Sequence, residues 1–234
     1  MPERKPHRSS SGQRTEPASK YGAAHLSDEV VKDLRATARP GKEDILVKVF
    51  SEAVAAYFEG DFKEAIRLGD QSKHMALRSG SAREFLGLAH YQVGNWAEAI
   101  KELAAFKRIT GSTDQNHVLA DSYRAMGKPA KALELCEEVL GSRPPEQIGF
   151  EASIVAASAL ADMNRVDDAI KWLESLDMQP AVAQEHHLRA WYVLADLLEK
   201  KGRYTQARSW FEAVAGADAD LTDVPERAAK LAKS

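Results

Sequence analysis

GNWAEAI, residues 94–100, repeats the shape of GDFKEAI, residues 60–66, and of GRYTQAR, residues 202–208. Each begins with glycine, places an aromatic two residues later and an alanine three after that. Two further copies keep the frame with changed letters: Gly127, Pro129 and Ala132, and Asn164, Val166 and Ala169. The anchors fall 34, 33, 37 and 38 residues apart, a spacing that signals stacked supersecondary units.

The phrase has a mechanical reading. A three-turn helical pattern precedes each glycine and another follows each alanine. Glycine, or Asn164, suits the left-handed conformation that ends a helix. The aromatic fills the corner, and the alanine lets the second helix approach the first closely. The product is a repeated antiparallel helical hairpin.

The chain therefore resembles the tetratricopeptide repeat family over residues 44–214. The fifth copy matches best, through Trp191, Leu194, Ala195, Leu198, Gly202, Tyr204, Ala207 and Phe211. The second gives Leu86, Gly87, Gly94, Trp96, Ala99 and Leu103, with Arg83 in place of the first aromatic. The third gives Leu119, Ala120, Tyr123, Gly127 and Ala132 and closes on Pro144. Glu52 in the first copy, and Asn164 and Val166 in the fourth, depart from the pattern. The resemblance implies an all-α, right-handed superhelical solenoid of five helix pairs. The two long intervals contain SRPPEQIGF, residues 142–150, and DMQPAVAQEHH, residues 177–187. Their prolines predict longer loops between repeats, with helices of unchanged length.

Terminal repeats need caps. LSDEVVKDLRATARP, residues 26–40, predicts a leading helix over 27–39, with Ser27 as N-cap, Leu26 and Val31 at staple spacing, and Pro40 as the stop. DVPERAAKLAKS predicts a C-terminal capping helix over 223–233, with Asp223 and Glu226 at capping-box spacing. Residues 26–234 are thus expected to form one helical domain. Residues 1–25, rich in Pro, Ser and charge, are expected to be a disordered basic tail. They carry five Lys/Arg against two acids, so residues 26–234 hold −6 within a chain whose net charge is −3.

Hydrophobic residues make up 44%, enough for a substantial core. Cys136 is the single cysteine, no apolar run is long enough to span a bilayer, and the first 25 residues lack an apolar secretory core. A soluble cytoplasmic protein is expected. No catalytic or metal-binding constellation stands out, so no catalysis, cofactor or metal is expected. Glycines fall at helix ends rather than in phosphate loops. His186 and His187 are adjacent, which points them to different helix faces with no third ligand in spacing. His90 and Cys136 fall at core positions. Trp172 and Trp210 share a register on second helices, where packing is favoured over an exposed pair.

In the resembling family the first helices of successive repeats line a concave groove that holds partner proteins. Register turns Phe50, Val54, Tyr57 and Phe58 toward it in the first copy, and Leu88 and Tyr91 in the second. His117, Asp121 and Arg124 follow in the third, and Tyr192 and Asp196 in the fifth. The implied groove is apolar and aromatic over the first two repeats and polar beyond. Whether the leading helix covers that apolar end is open at the level of sequence. Some family members hold a terminal carboxylate with a Lys/Asn/Arg clamp. The matching positions here read Phe50, Val54, Phe85, Asp114 and Val118 in one frame, and Glu84, Leu88, Val118, Glu151 and Val155 in the next, so the clamp is absent. The expected partner is a protein or peptide segment, with no membrane. The alternative is an RNA- or ribosome-associated factor contacting phosphates weakly through residues 1–25.

Overall fold

The computed structural model describes residues 22–217 and 224–231. The described residues form twelve α-helices and no strand. The leading helix is α1, Asp28–Thr37. Five hairpins follow: α2, Glu43–Phe58, with α3, Phe62–Met75; α4, Gly80–Gln92, with α5, Trp96–Thr110; α6, Asn116–Ala125, with α7, Pro129–Gly141; α8, Glu146–Asp162, with α9, Val166–Glu174; and α10, Glu185–Lys200, with α11, Tyr204–Ala217. α12, Val224–Leu231, closes the stack.

The repeated phrase is the hairpin turn. Gly60, Gly94, Gly127 and Gly202 adopt φ between 71° and 77°, and Asn164 adopts 63°. The next residue then donates its backbone N–H to the carbonyl five residues back. These bonds are Asp61 to Ala56 at 2.9 Å, Asn95 to His90 at 2.9 Å, Lys128 to Tyr123 at 3.0 Å, Arg165 to Leu160 at 2.8 Å and Arg203 to Leu198 at 2.9 Å. A left-handed residue followed by that bond satisfies carbonyls a helix end would otherwise leave unpaired. Asparagine replaces glycine in the fourth copy because it tolerates this region better than other residues with a side chain.

The alanine five residues after each anchor marks the closest helix contact. Ala65, Ala99, Ala132, Ala169 and Ala207 are all fully buried. Between α4 and α5 the approach is tighter still: a Cβ on Gly87 would lie 2.5 Å from the Leu103 side chain. Ala207→Leu is accordingly expected to overpack α10 against α11 and cost about 1–3 kcal/mol. Denaturant unfolding measures this, and an unchanged midpoint would contradict the contact.

The helix lengths and the end caps depart from expectation. α9 spans only nine residues, so the helices do not all keep their length. The chain leaves it early so that Met178, 7% exposed, can enter the core, where its carbonyl accepts from Trp191 Nε1 at 3.1 Å. At the leading helix, Ser27 caps as expected, accepting from the Val30 N–H at 3.4 Å, but Leu26 shares its core cluster with Val30 rather than Val31. At the other end Val224, Ala228 and Leu231 pack on the last hairpin. The capping-box side chains of Asp223 and Glu226, and tail residues 1–21, lie outside what is described.

Arg83 also has a physical reason. Where the family pattern has an aromatic, Arg83 donates to Glu102 Oε2 at 2.6 Å, and Lys73 donates to Oε1 of the same carboxylate at 3.0 Å. Glu102 is fully buried, so this triad joins α3, α4 and α5 through the core.

Candidate functional site

The first helices α2, α4, α6, α8 and α10 neighbour one another in order and share one face of the stack. At its apolar end α1 lies against α2 and α4. Leu34 is fully buried there with Leu46, Phe50, Ala76 and Ala82. Asp33 of α1 accepts from the Ser79 hydroxyl at 2.6 Å and from the Ser81 backbone N–H at 3.0 Å. A carboxylate at a helix N-terminus is favoured by the helix dipole, so Asp33 pins α1 to the start of α4. Just before α1, the Ala24 N–H donates to the Ser51 carbonyl at 3.2 Å.

This arrangement sorts the apolar candidates. Phe50 is 3% exposed and meets Phe85 edge-to-face at 5.3 Å. It is mostly core beneath α1, because the leading helix buries the part of α2 that carries it, and only its edge reaches the groove. Val54 and Leu88 stay half-buried and line, with Leu26, Val30, Phe85 and the edge of Phe50, an open recess of about 250 Å³ at the edge of α1. Tyr57 packs against Phe62 at 5.3 Å and Phe85 at 5.9 Å, and its hydroxyl accepts from Gln92 Nε2 at 3.0 Å. Phe58, at the end of α2, is 81% exposed.

The polar candidates form two networks. Tyr91 Oη donates to Asp121 Oδ2 at 2.7 Å, and Asp121 Oδ1 accepts from Arg124 Nε at 2.8 Å. Arg124 Nη1 reaches on to Asp162 Oδ2 at 3.0 Å, linking α4, α6 and α8. Burial, with the Asp121 carboxylate, pushes the Tyr91 phenol far above its ordinary pKa, so it stays a donor. His117 sits beside this network with an unpartnered Nδ1, and burial holds its imidazole below the usual histidine value. Glu84 accepts from Gln115 at 2.8 Å, and Arg189 pairs with Glu151. The two networks meet across a recess of about 160 Å³ lined by Arg124, Tyr192, Asp196 and Lys200.

The second network depends on a residue that no motif in the sequence singles out. Arg227 of α12 donates to Tyr192 Oη at 2.9 Å, Asp196 Oδ1 at 2.9 Å and Glu199 Oε2 at 2.5 Å. Its guanidinium lies 4.4 Å from the Phe211 ring centroid. Arginine's planar fork suits such simultaneous pairing and stacking. The partners are about thirty residues upstream, so no local pattern betrays the contact.

The residues with potential chemistry divide into two groups. Cys136 is a buried thiol whose pKa burial pushes up to about 12, as an inert core cysteine should be. His90 is likewise buried. Trp210 packs at 6.0 Å from Trp191, and Trp172 packs at the seam of two core clusters. His186 and His187, however, do not diverge. His187 bends back so that its Nδ1 accepts the Gln184 backbone N–H at 3.1 Å, which lays the two rings 4.1 Å apart. Glu146, at the start of α8, completes a group whose ligand atoms all lie within 4.8 Å of one another. The expectation of no third ligand fails because Glu146 is forty residues upstream of His186.

The tetratricopeptide repeat family model matches residues 50–112, 117–184 and 177–221. No curated protein matches the chain. Among solved structures it is similar to a thermophilic TPR protein of Thermus thermophilus, with a TM-score of 0.61 at 17% identity, covering 81% of this chain and 100% of that one. A tetratricopeptide repeat protein from Parabacteroides merdae gives 0.63 at 13% identity, covering 81% and 71%. YrrB, described as a TPR protein with an unusual peptide-binding site, gives 0.56 at 15% identity, covering 81% and 92%. At these identities the likeness is one of fold. Among the described residues no helix is long and apolar enough to cross a membrane.

Proposed function

The chain belongs to the tetratricopeptide repeat family, and from that premise we propose that it is a non-catalytic adaptor or scaffold holding an extended segment of a partner protein along its first-helix face. Proteins of this family generally act as binding modules rather than catalysts. The observation that carries the reading is the division of this face. Its polar side chains already pair with one another from α4 to α12, while Val54, Leu88 and Phe85 line an open apolar recess. A partner gains most by burying an apolar side chain there, since paired and partly exposed charges contribute little. The polar recess around Arg124, Tyr192, Asp196 and Lys200 then orients the rest of the segment. The peptide-binding site of YrrB, a protein of the same fold, supports a peptide-sized occupant. A cytoplasmic setting suits a single buried cysteine that has no internal disulfide partner.

Tyr57→Ala combined with Tyr91→Ala should weaken capture of the partner from native lysate at least tenfold, about 1.4 kcal/mol. Tyr57 packs on Phe85 of the recess, and Tyr91 follows Leu88 by one turn of α4. Large aromatics so placed dominate binding hot spots. Helical circular dichroism must match the parent. A folded double variant that captures at full strength would overturn the reading.

A further inference from the structure

Both imidazoles of His186 and His187 are buried, at 4% and 2% exposure, and Nε2 of each lacks a hydrogen-bond partner. One unpaired buried nitrogen costs free energy, and two side by side call for an explanation. They stand in the first turn of α10, against the Phe150 ring at 5.0 and 4.7 Å. Glu146 Oε1 lies 3.5 Å from His187 Nε2, and its side chain is 62% exposed, free to adjust. We propose that Glu146, His186 and His187 bind a divalent transition-metal cation of the Zn²⁺ type, which clips the start of α8 to the start of α10.

The donor set selects the cation. Two imidazoles and one carboxylate suit Zn²⁺ and its neighbours, whereas Ca²⁺ and Mg²⁺ require oxygen shells. Bonds of about 2.1 Å at tetrahedral angles place ligand atoms about 3.4 Å apart, close to the Glu146–His187 spacing. Phe150 supplies an apolar wall, and solvent reaches the site from the Glu146 side, leaving the fourth position to water. His187 carries one constraint. While Nδ1 accepts from Gln184, the ring's proton sits on Nε2. Cation binding moves that proton to Nδ1 and ends the bond from Gln184, so the metal replaces one helix-cap bond as the anchor of α10. The site joins the start of α8 to the start of α10, which directly follows the longest inter-repeat loop, residues 175–184.

The test uses the full chain stripped of metal. Calorimetric titration with Zn²⁺ should give one equivalent bound, and Co²⁺ should give the visible spectrum of a four-coordinate site. Glu146→Gln changes an exposed side chain and leaves the fold intact. This variant and His186→Gln should each weaken Zn²⁺ binding at least tenfold. His74→Gln, at an exposed histidine elsewhere, should leave it unchanged. No binding at about 1 mM cation, or a loss under tenfold in either variant, overturns the proposal.

Discussion

Replacing both Lys73 and Arg83 by Met is expected to destabilise the fold by about 3–5 kcal/mol, and adding Glu102→Met should restore most of that loss. The reasoning starts from Glu102, whose side chain is fully buried between α3, α4 and α5. A carboxylate there is tolerable only because Lys73 and Arg83 donate to separate oxygens at 3.0 and 2.6 Å. Methionine keeps the volume of either cation but leaves the anion without compensation. The third substitution removes the anion too and leaves an apolar core of similar size, which such triads often match or exceed in stability. Urea unfolding of the parent, double and triple variants provides the comparison. A double variant within about 1 kcal/mol of the parent would mean that the triad behaves like a surface pair. A triple variant as unstable as the double would mean that the three residues matter for shape rather than charge.

That triad also marks where local sequence reading runs out. The hairpin turns were legible because their cause is local: one left-handed residue, one corner side chain and one alanine recur within six positions. Gly94, Asn164 and Ala207 could be assigned a conformation or a burial from their neighbours alone. Arg83 stands in place of an aromatic with no local reason, because its partner Glu102 is nineteen residues away on the opposite helix of the hairpin. Arg227 and Glu146 were invisible as partners for the same reason, and the expected divergence of His186 and His187 assumed side chains that stay in helical register. The burial of Phe50 depended on where α1 comes to rest, which is fixed by Asp33 meeting Ser79 and Ser81 forty-six and forty-eight residues on. Periodicity therefore locates the groove helices, but tertiary pairing decides which of their side chains remain available to a partner.

Trp191 presents the converse case, a residue legible by motif whose full role appears only in three dimensions. Trp191→Ala should cost about 3–5 kcal/mol, and Trp191→Phe about 1–3 kcal/mol. The ring is 9% exposed and packs against Trp210, so alanine opens a cavity between α10 and α11. Phenylalanine fills most of that space but cannot donate to the Met178 carbonyl, now met at 3.1 Å. The smaller loss is therefore the cost of one unpaired buried acceptor. Both variants release the loop after α9, because Met178 is the point at which that loop enters the core. Hydrogen exchange should accelerate over residues 176–184 in each, while the turns at Gly60 and Gly94 keep their protection, since a stack couples mainly nearest neighbours. If the two variants lose equal stability, the hydrogen bond and not the cavity holds the fifth repeat. If exchange rises equally at Gly60, the chain unfolds as one unit and the repeats are not the independent layers that their shared phrase implies.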